Sequence, residues 1–339
     1  MKKNHIIFAH IPKTAGTSFR LSLEHIVPKD KIALDYGRTS KETSNLIRNT
    51  VYQKAEQKFL QHMDSVRVLF GHFQDSCIRL RGYRKLLPKA MLCTVLRDPI
   101  TRIISEYYHF RHYFGYQESF DTFFHQVPFI NRQSKCIDSI PLCAFDFVGI
   151  TEHYSESLKL FTKISSLELI ENFVNLRANT NLDALISQAD LDNFARLNIE
   201  DIAIYNEALY RFHYQSGLRF PSSAHRRFEG SIGPGNNGMV AGWAVDHSSY
   251  RPVEIKVFRG RRMIFSEVAC LYRPDVRKAG LHISGYCGFS IPFEKLQENN
   301  KNSLLVVHVE GCGVLGKIPA VVEPGLLHKQ ARRSATQTQ

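Results

Sequence analysis

"IIFAHIPKTAGTSF", residues 6–19, sets the apolar run Ile6, Ile7, Phe8, Ala9 against a lysine, a glycine and three hydroxyls. The run reads as a buried strand. Residues 17–27, with Phe19, Leu23, Ile26 and Val27 on one face, read as the helix after it. A strand, a short glycine-containing loop and a helix gather the N–H groups of residues 14–18 at a helix N-terminus, an anion site by geometry and by dipole. Lys13 adds a mobile charge, and Thr14, Thr17 and Ser18 add hydroxyl donors. The order is not that of the nucleoside-triphosphate loop G-x-x-x-x-G-K-[ST], because Lys13 precedes Gly16 instead of following it. The plain alternative is a capped strand-to-helix turn with an exposed lysine.

Further along, "VRVLF" (66–70) and "MLCTVL" (91–96) are two more strand candidates. The second ends in Arg97-Asp98-Pro99: Asp98 caps a helix and Pro99 takes its first position, where a missing N–H costs nothing. Ile100, Ile103, Ile104, Tyr107 and Tyr108 form that helix's apolar stripe. Ser105 lies about two turns beyond Asp98, so it returns to the same face and can share an anion with Arg97. Arg102 is a further donor or a helix-surface charge. Two phosphate sites on neighbouring strand ends suit a nucleotide phosphorylated at two places; a structural Arg–Asp pair with a helix serine is the plain reading of the second motif. Residues 41–63 are helix-compatible and 154–217 helical in pattern, so strands alternate with helices and a helix-covered parallel sheet is expected.

From about Glu229 the pattern changes. "EGSIGPGNNG" reads as a linker or long turn, and "MVAGWAVD", "PVEIKVF", "RMIFSEVA", "YCGFSIPF" and "SLLVVHVE" alternate with period two, "VFRGRRMI" being a hairpin. The expected fold class is therefore α/β, a P-loop-like parallel sheet flanked by helices, followed by a small all-β sandwich. The expected domains are 1–228, 229–322 and a basic disordered tail, 323–339.

With 339 residues, a formal charge of +12 and 43% apolar content, the chain is a folded protein with anionic partners. No basic stripe interleaved with aromatics points to nucleic acid. No secretory signal and no membrane-spanning run is read, though peripheral contact with anionic lipid fits the charge. Seven scattered cysteines without a C-x-x-C suggest reduced thiols, a cytoplasmic location and no zinc site.

"HIPKTAGTS" resembles the 5′-phosphosulfate loop of the sulfotransferases, and "RDPITRIISEYYH" (98–109 after Arg97) their 3′-phosphate segment. The pattern is most similar to carbohydrate sulfotransferases of the heparan sulfate and uronyl 2-O type. "LFGHF" (69–73), "NRQSKC" (131–136), "FDFVGITEHYSESLKLF" (145–161) and "NIEDIAIYNEALYRF" (198–212) follow in the family's order, so the resemblance spans roughly residues 5–215. It implies 3′-phosphoadenosine 5′-phosphosulfate (PAPS) as donor, a carbohydrate hydroxyl as acceptor and no metal. It further implies that Lys13 contacts the phosphosulfate, that Gly16, Thr17, Ser18 and the Thr14 backbone cradle the 5′-phosphate, and that Arg97 and Ser105 hold the 3′-phosphate. His72 is the implied base. The relatives carry two histidines flanking the glycine, and here Phe70 replaces the first. His10, His109 and Glu106 are the fallback bases. Arg132 and Gln133 border the ligand or contact the sheet, and Glu152 reads as a helix-start carboxylate. The last segment resembles sandwich modules ("GWAVD", 242–246; "RPDV", 273–276) on bacterial glycan-modifying enzymes, where Trp243 is either core or a sugar platform. A bacterial enzyme is the implied setting. The alternatives are a nucleotide-dependent kinase, or a non-catalytic glycan-binding protein with a vestigial nucleotide site.

Overall fold

The structure, a computed structural model, describes residues 5–169, 186–218, 227–235, 238–296 and 304–319. The expected tail and residues 170–185 of the expected helical stretch lie outside these. The chain divides into two compact units, Met1–Asp190 with Glu207–Leu218, and Leu191–Asn206 with Arg219–Gln339.

The first unit is built on a five-stranded sheet of β1 (Ile6–Ala9), β2 (Ile32–Asp35), β3 (Val68–Gly71), β4 (Met91–Leu96) and β5 (Phe147–Ile150), in the order β2-β3-β1-β4-β5. Every pairing is parallel. Strands buried on both faces read as continuous apolar runs, as β1, β3 and β4 do. Phe8 of β1 stacks on Phe70 of β3 at 4.7 Å and meets Phe19 of the helix Gly16–Glu24 at 4.6 Å, which clamps that helix to the sheet. The expected helix 41–63 is broken into the helix Asn45–Asn49, a 3₁₀ turn Val51–Gln53 and the helix Glu56–Met63.

Because β1 lies centrally between β3 and β4, the loops after all three strands open at one edge of the sheet. That carboxyl end, where strand order reverses, is where open α/β sheets bind ligands. Beside it the buried Asp35 accepts hydrogen bonds from Tyr52 (2.7 Å), Tyr83 (2.7 Å) and the Gly37 N–H (3.1 Å). Gly71, the last residue of β3, sits so close to this strand end that a Cβ would lie 1.8 Å from the Asp35 carbonyl oxygen. Gly71→Ala is expected to destabilise the first unit by about 3 kcal/mol, since backbone offers no rotamer escape. A urea melt shows it as a lowered midpoint with unchanged slope.

The second unit holds two antiparallel four-stranded sheets. Their strands are β6 (Phe228–Pro234), β7 (Met239–Asp246), β8 (Glu254–Arg259), β9 (Arg262–Val268), β10 (Leu271–Tyr272), β11 (Tyr286–Pro292), β12 (Leu304–Val309) and β13 (Gly313–Pro319). The orders are β10-β11-β7-β6 and β13-β12-β8-β9. Val240, Ile255, Val257, Phe289, Ile291, Leu305 and Val307 fill the layer between them, as a sandwich requires. The fold class is thus the one expected, with one correction: most of "EGSIGPGNNG" is not a linker but part of β6, an edge strand. Trp243 is not core either; it alternates with the inward Ala244 and is half-buried.

Candidate active site

The loop between β1 and the helix Gly16–Glu24 turns through two residues in left-handed conformation, Lys13 (φ 68°) and Ala15 (φ 62°). Non-glycine residues accept this at a cost of about 1 kcal/mol each, and they cluster at ligand clamps. Such alternation folds successive N–H groups into a concave anion cradle. The first-turn N–H groups of the helix have no intrahelical acceptor and face the same way. Lys13 is half-buried, Thr17 exposed and Ser18 buried. Thr14 is buried and its hydroxyl donates to the Ile11 carbonyl at 2.9 Å. That corrects one expectation: the Thr14 side chain ties the loop shut, and only its backbone is left to a ligand.

Arg97, at the end of β4, donates through its guanidinium to the Lys13 carbonyl at 3.0 Å. The two motifs, 84 residues apart, therefore meet. Gln133 holds Arg97 from both backbone sides: its Oε1 accepts from the Arg97 N–H (3.0 Å) and its Nε2 donates to the Arg97 carbonyl (2.9 Å). Of the two readings for Gln133, contact with the sheet is the one seen. Asp98 caps the helix Pro99–Phe114, accepting from the Thr101 N–H at 2.9 Å. Glu152 accepts from the Asp98 N–H at 3.0 Å, and burial, then Asp98, raises its pKa. Ser105 is half-buried two turns along this helix.

Two expectations fail here. Arg102 is neither a donor to the crevice nor a surface charge. It is 1% exposed and paired with Glu106, itself 4% exposed, four residues on. Glu106 is accordingly committed to that buried pair and is a poor base. His109 packs against Tyr113 and Phe114, at 4.7 and 5.8 Å, further along the helix.

His72 follows Gly71 at the end of β3. Its ring lies 4.6 Å from that of His10 and 4.7 Å from that of Tyr36. Among the described residues its buried Nε2 has no hydrogen-bond partner, which is what a site awaiting a polar group looks like. Burial, then the neighbouring Arg132, lowers its pKa to about 4. Burial, then His72, holds His10 well below the usual imidazole value. Both rings are neutral at pH 7, able to accept a proton. Tyr36, Arg20 and Glu42, which the sequence did not suggest, complete the surroundings. Arg20 donates to the Tyr36 hydroxyl at 3.3 Å and pairs with Glu42.

Folded-state pKa values below the unfolded 6.5 mean that the unfolded chain binds protons first as pH falls. The stability from the neutral histidines is complete above pH 6.5 and, for His72, is lost between 6.5 and about 4. His72→Gln is expected to remove up to about 3 kcal/mol of that acid sensitivity. Melting temperatures of wild type and variant from pH 8 to 4 check it: between pH 6.5 and 4 the wild type should fall more steeply than the variant.

The sulfotransferase family model matches residues 1–139. No curated protein matches the chain. Among solved structures, the crystal structure of a sulfotransferase from Alicyclobacillus acidocaldarius is similar at 14% identity and a TM-score of 0.35, over 64% of this chain and 97% of that one. Mouse sulfotransferase SULT7A1, complexed with PAP, is similar at 12% identity and a TM-score of 0.33, over 62% and 84%. The loop, His72 and Arg97 all lie inside the segment, residues 1–139, over which the chain is similar to the sulfotransferase family.

Proposed function

We propose that the chain is a PAPS-dependent O-sulfotransferase that acts on a carbohydrate hydroxyl. The observation that carries this reading is the bond from Arg97 to the Lys13 carbonyl, inside a segment of sulfotransferase sequence. It brings a second cationic site to the edge of the first anion cradle, as a donor with phosphates at 5′ and 3′ needs. Lys13, Gly16, Thr17, Ser18 and the Thr14 N–H take the 5′-phosphosulfate, and Arg97 with Ser105 takes the 3′-phosphate. The acceptor oxygen attacks sulfur as the bond from sulfur to the bridging oxygen breaks. His72 takes the hydroxyl proton, and Lys13 with the helix N-terminus opposes the charge growing on the departing 5′-phosphate. Positioning and charge stabilisation supply most of the rate in such in-line transfers.

Residues 1–228 form the transferase domain in this reading and 229–322 an accessory sandwich. All seven cysteines are free, which suits a reducing, cytoplasmic setting. Among the described residues no helix is long and apolar enough to cross a membrane.

The test is binding of 3′-phosphoadenosine 5′-phosphate (PAP), followed by transfer of labelled sulfate from PAPS to an oligosaccharide panel. PAP at 100 times its Kd is expected to stabilise the protein by about 2.7 kcal/mol, with adenosine 5′-monophosphate and ATP far behind. Equal stabilisation by ATP would instead favour a kinase. Glycan binding without any nucleotide response would leave a vestigial site.

A further inference from the structure

We infer that His10 is a positioning residue that holds the donor loop and His72 in register, with Tyr36 fixing its orientation. The inference rests on the sulfotransferase reading above.

His10 ends β1 and is 9% exposed, its N–H bonded to the Gly71 carbonyl at 2.9 Å. One side of its ring fills the space over Gly16. A Cβ at residue 16 would fall 2.0 Å from its Cδ2 and 2.3 Å from its Nε2. Glycine is needed there because an imidazole already occupies the side-chain volume. The same ring packs on His72 at 4.6 Å and on Phe70 at 5.3 Å. Its ring thus lies against both the loop glycine and His72.

Its orientation is set by hydrogen bonding. Nδ1 lies 3.1 Å from the Tyr36 hydroxyl. Arg20, a donor only, gives a hydrogen to the Tyr36 oxygen at 3.3 Å, which leaves the tyrosine's own hydrogen for Nδ1. His10 then carries its hydrogen on Nε2, above Gly16. Glu42 and Glu24 hold Arg20 in turn, Glu24 at 3.5 Å. A loop that shifts on binding phosphate must move this ring, and the ring must move His72. Phe70, where relatives have a histidine, supplies only the apolar wall on which His10 rests.

A double-mutant cycle with PAP as probe tests the coupling. His10→Ala and Gly16→Ala should each weaken PAP about tenfold, and the double variant no more than either alone, since the clash at residue 16 vanishes with the ring. Independent effects, multiplying to about a hundredfold, would overturn the inference. A ligand-free measurement separates it from the donor reading: ¹⁵N spectra of the histidines should show His10 with its hydrogen on Nε2. Tyr36→Phe should disturb that state and shift the His72 resonances with it. His72 resonances untouched by both Tyr36→Phe and His10→Ala would also overturn it. Absence of PAP binding to the wild type would sink the donor reading instead, and the spectra would still decide the coupling. Should Gly16→Ala fail to fold, the His10→Ala and Tyr36→Phe arms carry the test.

Discussion

Arg97→Ala is expected to remove most of the stabilisation by PAP while leaving the fold intact. The side chain is half-buried at the end of β4, and its backbone is held on both sides by the buried amide of Gln133. Its guanidinium is therefore offered from a rigid frame, with little ordering entropy left to lose on binding. A charge-assisted bond to phosphate contributes about 1.5–3 kcal/mol. The bond to the Lys13 carbonyl adds a second loss, because without it the loop is less well held. Together these should weaken PAP about a hundredfold, so a dose that stabilises wild type by about 2.7 kcal/mol stabilises the variant by only about 0.4. Arg97→Lys should recover little, since a point charge cannot replace a planar fork that serves a carbonyl and a phosphate together. Adenosine 5′-monophosphate separates the two contributions. If its weak binding is unchanged, Arg97 acts on the 3′-phosphate alone; if it falls too, the latch on Lys13 matters as well. A full PAP response from Arg97→Ala would mean that the second phosphate site lies elsewhere.

What could be foreseen from sequence was local chemistry. The strand before Lys13, the Asp98 cap and the Pro99 start are each written within a few consecutive residues, and the structure keeps them. β2 (Ile32–Asp35) and β5 (Phe147–Ile150) were not foreseen as strands. Each carries a weak strand former, Ala33 in β2 and Gly149 in β5, and they exist as the two edges paired to β3 and β4. β6 was read as a linker because of Gly230, Gly233 and Pro234, residues an edge strand tolerates and a central one does not. Arg102 was misplaced because composition does not say which helix face turns inward, and its partner Glu106 sits at the i,i+4 position that makes a buried pair possible. Tyr36 and the Gln133 clamp are tertiary facts. Tyr36 reaches His10 across 26 positions and Gln133 reaches Arg97 across 36, distances at which no periodicity speaks. The motif proposed to bind phosphate is local and legible; the side chains that surround it are not.

His72→Ala separates catalysis from binding most sharply. Donor affinity should change by no more than a few-fold, because the phosphate ligands proposed above lie on the segments that follow β1 and β4, while transfer should fall by about 10²–10⁴-fold. A base whose pKa is lowered to about 4 is weak in the ground state. It is nonetheless fully unprotonated at pH 7, and the proton it must take becomes acidic only as the acceptor oxygen bonds to sulfur. The wild-type rate should accordingly be flat through neutrality and fall only as pH approaches 4, where His72 itself becomes charged. The variant should lack that acid limb along with the rate. The other nearby candidates are poor substitutes: His10 has Nδ1 engaged by Tyr36 and its other nitrogen over Gly16, and Glu106 is buried against Arg102. Retention of more than about a tenth of wild-type transfer, less than 1.4 kcal/mol of barrier, would move the proton acceptor away from His72. The orphaned Nε2 would then need an explanation in packing alone, which is the costlier reading of a buried, unpartnered nitrogen beside an anion cradle.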